Sequence, residues 1–281
     1  MSTPTAQAAP DTAVAGDGLR GVLATGSRPP APGAVTNSLT YGWRALLRIK
    51  HVPEQLIDVT LFPIMFTLMF TFLFGGALAG SPSEYVQFLL PGILVQTTVF
   101  ITMYTGLNMA TDIDKGMFDR FRSLPIWQPA PVVGAMLGDL ARFATACAMV
   151  IVLGLILGFR PVGGPTGVLL AIALVLVFCW AVSWIWILVG LYVRSPNSVM
   201  GISMMILFPL TFASNIFVDP ATMPGWLQTV VEYNPISYLV TAVRDLMAGQ
   251  LPGSDLTVVL VVAAAIVASF GPLSMHRYRT R

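Results

Sequence analysis

Charge is what this sequence has least of. Only 10% of its 281 residues are Asp, Glu, Lys or Arg, while 56% are hydrophobic and the mean hydropathy is +0.78. A soluble domain averages about 25% charged residues. So little charge cannot cover a globule of this size, which points to an integral membrane protein. Lysine occurs twice, in "RIKHV" and "IDKGM", and neither stretch fits the G-K-[ST] of a P-loop. The chain is therefore not its own P-loop ATPase. His51 and His276 are the two histidines, and neither begins H-E-x-x-H, which excludes a zinc metalloprotease of that type. Both are expected to be solvated or interfacial. Cys147 and Cys179 lie in apolar runs and make no disulfide framework. They read as packing residues. Ser183, Ser203 and Ser214 have no lysine or histidine at membrane depth, so no catalytic set is expected. No metal site is expected, and nothing suggests a nucleic-acid partner. No span carries a carboxylate at mid-membrane, which argues against a proton-coupled pump.

What is present is long apolar runs. Residues 59–83, 85–111, 143–159, 161–193, 195–218 and 256–276 hold no Asp, Glu, Lys or Arg. A helix needs about 20 apolar residues to cross ~30 Å of hydrocarbon. The expected fold is all-α and polytopic, with six spans near 58–79, 86–109, 135–159, 167–192, 198–217 and 256–275. Asp139 and Arg142 place the first turns of the third span in the interface. Pro63, Pro91 and Pro209 fall inside spans, where they are expected to kink them or leave room for motion. Residues 1–36 lack the apolar core of a signal peptide and read as a disordered tail, and 37–281 as the membrane domain.

Six spans put both termini on one side. Thirteen Lys and Arg fall on that side, and only Arg160 and Arg244 on the other. Basic residues face the cytoplasm, so both termini are expected there, in a cell membrane. Thirteen arginines against two lysines hint at a GC-rich bacterial genome.

Between the second and third spans stands "DIDKGMFDRFRSLPI", with six charged residues in its first eleven positions. On a helix from Asp112 to Leu124, Ile113, Met117, Phe121 and Leu124 share one face and Lys115, Asp119 and Arg122 the other. Pro125 ends it, and Pro129 and Pro131 are expected to keep the next residues from helix. Phe118 sits on the flank. An exposed aromatic beside charges suits a partner anchor, and an ordinary positive-inside loop is the plainer reading. A second amphipathic stretch, "TNSLTYGWRALLRIKHVPEQ", sets Leu39, Trp43, Leu46 and Leu47 against Arg44, Arg48 and Lys50. It reads either as an interfacial helix or as a topology anchor. Beyond the fifth span, "VDPATMPGWLQTVVEYNPISYLVTAVRDLMAGQLPG" is cut by prolines into pieces too short to cross. Such pieces are acceptable only when packed on protein or at the interface. Trp180 and Trp184 share a face of the fourth span at i, i+4, either as packing residues or as contacts for a flat aromatic substrate.

This order of parts resembles the membrane subunit of an ABC-2 type exporter. "HVPEQLIDVTLFPIMFTLMFTFLFGGAL", "YVQFLLPGILVQTTVFITMYTG", "DIDKGMFDRFRSLPI" and "ILFPLTFASNIFVDPATMPGWLQ" resemble the daunorubicin/doxorubicin resistance permeases, the DrrB-like branch. "NPISYLVTAVRDLMAG" is similar to an outer stretch of the wider family, and the likeness covers about 36–250. The resemblance implies a pore of two permease chains, as a homodimer, with ATP and Mg bound on separate ATPase subunits and no cofactor on this chain. It implies that Asp112–Pro125 is a coupling helix in which Asp112, Lys115, Phe118, Asp119, Arg120, Phe121 and Arg122 meet the ATPase. It makes 37–52, with Trp43, Arg44, Arg48 and Lys50, a connecting helix. The implied function is expulsion of amphipathic antibiotics, conferring resistance, with lipid or siderophore-like export as the alternative in the same class. A secondary carrier or channel would instead show inverted repeats or a charged midplane, and neither is seen.

Overall fold

A computed structural model describes residues 40, 42, 53–116, 129–193 and 195–280. Among them every regular element is helical. We label the helices α1 (Pro53–Ala79), α2 (Pro82–Ile101), α3 (Met103–Asp114), α4 (Ala130–Ile156), α5 (Gly164–Tyr192), α6 (Pro196–Phe212), α7 (Gly225–Tyr233), α8 (Pro235–Met247) and α9 (Ser254–Thr280). A single 3₁₀ turn, Pro220–Thr222, precedes α7.

Serine or asparagine followed by proline starts three of these helices. Ser81 accepts from the Glu84 N–H, Ser195 from Ser198 and Asn234 from Ile236, each with proline in the first turn. The side-chain oxygen satisfies an orphan donor, and proline has no N–H to waste there. The same rule corrects the expectation at Pro131. It does not hold the chain out of helix but stands in the first turn of α4, which starts at Ala130, earlier than expected.

Among the described residues, five helical stretches are long and apolar enough to cross a membrane: Leu61–Leu78, the 33-residue Pro82–Asp114, Pro131–Ile156, Gly164–Tyr192 and Ser254–Thr280. The fifth expected span, 198–217, is shorter. Helix α6 has 17 residues and closes at Phe212, not at 217. At ~1.5 Å per residue it spans ~25 Å, short of a full crossing. Pro209 contributes no N–H to its last turns, and the chain then bends through Ser214–Phe217. Asn234 takes up the freed ends, donating from Nδ2 to the carbonyls of Leu210 and Ala213 at 2.7 Å each.

The stretch α2–α3 is the axis of the bundle. Of its apolar window 89% is buried, against 22% for α1 and 17% for α9. Those two helices are greasy on exposed faces: Phe72, Leu73 and Val261 stand outward. That is the pattern of lipid-facing or partner-facing rods. Helix α8 lies against α5, α9 and α2, with Leu239, Val240, Ala242 and Val243 fully buried. A piece too short to cross is thus covered by protein, as its backbone requires.

Candidate functional site

The segment with the densest charge begins in the last turn of α3. Here the helix does not run on from Asp112 to Leu124 as expected. Lys115 caps α3, and Gly116 turns left-handed at φ +64. Glycine tolerates that conformation without a Cβ penalty, which is why helices so often stop there. Asp112 and Lys115 therefore belong to the end of the second span. The Ile113 side chain is turned into the bundle. It packs in a small cluster with Val132, Met136, Ile187 and Leu191. Phe118, Asp119, Arg120, Phe121 and Arg122 lie outside the described residues, as do Trp43, Arg44, Arg48 and Lys50. Of the stretch before the first span, Thr40 and Gly42 are helical, and Gly42 lies against Gly134 and Leu137 near the start of α4.

Above this exit, α3 and α4 are joined by buried polar groups. Asp139 and Arg142 form an ion pair on α4 at 6% and 4% exposure. Thr105 of α3 donates its hydroxyl to Asp139 Oδ2 at 2.5 Å. The Arg142 guanidinium lies 5.6 Å from the Tyr104 ring centroid. Asp139 is 17 residues from the far end of α4 at Ile156. That is ~26 Å, near one edge of the hydrocarbon and not at its middle.

One turn further in, the axis helix breaks. Thr102 separates α2 from α3, its N–H reaching back three residues to Val99. Its hydroxyl donates to the Val99 carbonyl at 2.6 Å and accepts from Trp186 Nε1 at 2.8 Å. Side-chain bonds of this kind compete with the helix ladder and bend it. Beside the break, α3 and α5 touch backbone to backbone. A Cβ on Gly106 would stand 2.4 Å from the Trp186 carbonyl oxygen, and one on Gly190 would stand 2.5 Å from that of Gly106. Only glycine fits either position.

Trp184 is buried in the cluster around Ile187, and Trp180 meets it edge-on at 6.1 Å. Trp180 is half-buried, so of the two it offers more surface to a substrate. Trp186 packs instead in the main core, where its Nε1 donates to Thr102.

The opposite end of the bundle is organised around Arg244 of α8. Its Nε donates to the Phe88 carbonyl at 3.1 Å, and Nη2 to those of Asn215 and Ile216 at 2.9 and 3.2 Å. The guanidinium stands 3.7 Å from the Phe88 ring centroid. Burial pulls its pKa down to about 10, against the opposing fields of Asp219, Tyr85 and Asp245, so it stays a cation at neutral pH. Tyr85 adds a hydroxyl bond to the Phe217 carbonyl at 2.8 Å. Together they tie the bend after α6 to α2 and α8. Beside the bend an apolar groove of about 690 Å³ opens between α6 and α7, lined by Met205, Pro209, Val230 and Tyr233 among others.

Sequence reasoning flagged Asp139 and Arg142 only as a nuisance in a span. It missed Thr102, Thr105, Gly106 and Gly190. The i, i+3 spacing of Asp139 and Arg142 was the one readable signal.

Comparison with known proteins agrees with this architecture. A family model described as ABC-2 type transporter matches residues 37–248. The chain is 50% identical over 281 residues to the daunorubicin resistance ABC transporter permease protein DrrB1 of Streptomyces coeruleorubidus, covering 100% of this chain and 99% of that one. It is 26% identical over 195 residues to the doxorubicin resistance ABC transporter permease protein DrrB of Mycobacterium tuberculosis, covering 69% and 68% of the two chains. A probable doxorubicin resistance permease, DrrC, of the same species is 22% identical over 242 residues, 86% of this chain and 87% of that one. The chain belongs to the ABC-2 type transporter family and is a multi-pass membrane permease, a transport component and not an enzyme.

Proposed function

We propose that this permease is the membrane part of an ATP-driven exporter that expels an amphipathic small molecule, an anthracycline-like antibiotic, and so makes its cell resistant. The observation that carries the reading is the full-length 50% identity to a daunorubicin resistance permease. ATP and Mg are bound by a separate ATPase chain, and a second permease chain, as a homodimer, completes the pore. The Gly116 end faces the cytoplasm. Thirteen of the fifteen basic residues fall at that end or on the stretches that join it, and Arg160 and Arg244 alone at the other.

On this reading the ATPase docks on residues 112–125. Asp112 and Lys115 close the second span, and Phe118, Asp119, Arg120, Phe121 and Arg122 form the contact beyond the Gly116 turn. Trp43, Arg44, Arg48 and Lys50 flank it from the connecting helix; Gly42, just before them, lies against Gly134 and Leu137 of α4. Trp180, the more exposed of the tryptophan pair, is the substrate contact, with Trp184 behind it.

The test begins with gentle purification of the tagged chain from its own membrane. A stoichiometric partner carrying G-x-x-x-x-G-K-[ST] is expected. Replacing Phe118 by Asp desolvates a charge where an apolar anchor is needed. The variant should insert normally and lose that partner, with about a hundredfold weaker association for ~3 kcal/mol. Normal association and drug export by stably expressed Phe118→Asp would sink the assignment.

A further inference from the structure

We propose that Thr105, Asp139, Arg142 and Tyr104 are positioning residues that fasten α3 to α4, so that the two helices swing as one lever about the Thr102 break. The inference rests on the proposal that the segment between them meets the ATPase.

The two legs of that segment are equal. Thr105 stands nine residues before Asp114, and Asp139 nine residues after Ala130. Each fastening point is therefore ~13 Å from the exit of its helix, and both lie at one level. The fastening matters because α3 packs chiefly on α5 and α6 and meets α4 at few other places. Without the Thr105 hydroxyl on Asp139 and the Tyr104 ring under Arg142, a push on the segment would splay the legs.

The pivot lies on the inner side of the fastening. At Thr102 the backbone stays right-handed helical, but its N–H bonds back three residues to Val99 and Trp186 holds its hydroxyl. Next to it the bare backbones of Gly106 and Gly190 meet. Small residues at a helix crossing let the two backbones approach this closely. A permanent joint would not need ions. Replacing a buried ion pair by apolar groups is often neutral or stabilising. Charge-assisted bonds have direction and fix one register between the helices.

The experiment uses the intact complex of permease and ATPase in lipid vesicles, with paired spin labels. Cys147 and Cys179 are fully buried, which leaves labelling to introduced cysteines. One pair, Asp114→Cys with Leu137→Cys, spans α3 and α4. Another, Asp114→Cys with Tyr192→Cys, spans α3 and α5. On trapping with ATP and vanadate, the α3–α5 distance should shift by roughly 2–5 Å, while the α3–α4 distance stays. Thr105→Val should make the α3–α4 distance shift as well, and Thr105→Ser should restore its constancy. A wild-type α3–α4 distance that changes as much as α3–α5 overturns the lever. So does a fixed α3–α5 distance, or a Thr105→Val complex that moves as the wild type does. Phe118→Asp separates the two proposals. If it abolishes the shift, the docking reading stands whatever Thr105→Val does. If the shift persists in Phe118→Asp, docking through Phe118 fails, while a shift that Thr105→Val redistributes still supports the lever.

Discussion

Two arginines are drawn into this bundle at opposite ends, Arg142 buried and Arg244 half-buried, and they are held differently. Arg142 lies against a carboxylate, Asp139, which is also held by a hydroxyl from a second helix. Arg244 has no carboxylate at ion-pair distance among the described residues. It is held by three backbone carbonyls and the face of Phe88. The first arrangement depends on a countercharge, the second on the path of the chain. Removing Arg142 strands a negative charge in a poor solvent. Removing Arg244 strands only carbonyl groups. The contrast suits their places: Arg244 closes a bend that ends a short span, and Arg142 sits between two helices flanking the proposed docking segment.

The largest effect should come from Arg142→Met. Asp139 then remains buried without its cation, a loss on the order of 3–5 kcal/mol. Thermal unfolding of the detergent-solubilised chain is expected to show a fall of many degrees. The double variant Asp139→Leu with Arg142→Met should recover most of it, because no charge is left behind. A double variant as unstable as the single one would break the comparison at its Arg142 end.

Arg244→Met should cost less, about 1–3 kcal/mol, since the groups left unpaired are neutral. No second substitution is expected to rescue it, because its acceptors belong to the backbone of Phe88, Asn215 and Ile216. Arg244→Lys should fall between, as an ammonium cannot copy the planar fork that spans these oxygens. A loss from Arg244→Met that equals the loss from Arg142→Met would mean that the two sites are not different in kind.

The sequence carried the spans because membrane insertion demands long uncharged runs, and those are visible without knowing any neighbour. The helix starts at Ser81, Ser195 and Asn234 are equally local, each a Ser or Asn directly before proline, but they went unread. Pro131 was misread because proline stops a helix only from inside it, and the register was not visible. Asp112–Leu124 was misread as one rod because an amphipathic pattern continues across Gly116, whereas the backbone does not. The fastening between α3 and α4 was out of reach. Thr102 and Thr105 look like any threonine in an apolar run until it is known that Trp186 and Asp139 face them. Gly106 and Gly190 are 84 residues apart and declare themselves only when their helices cross.

The smallest effect tests whether Arg244 is as independent of carboxylates as its bonds suggest. Its neighbour Asp245 has a raised pKa, chiefly from burial and then from Asp255, against a smaller opposing pull from Arg244. A carboxyl whose folded pKa lies above its unfolded value binds more protons when folded. Its contribution to stability therefore falls as pH rises through the usual Asp value of about 3.9 and on to the raised one. At neutral pH the ionised Asp245 is a net cost, so Asp245→Asn should melt slightly higher than the wild type. The gap should close as pH falls toward 4, where the native carboxyl already carries its proton. If Asp245→Asn melted lower at neutral pH instead, the pull between Asp245 and Arg244 would outweigh burial. Arg244 would then lean on a countercharge after all, and the two ends of the bundle would differ in degree and not in kind.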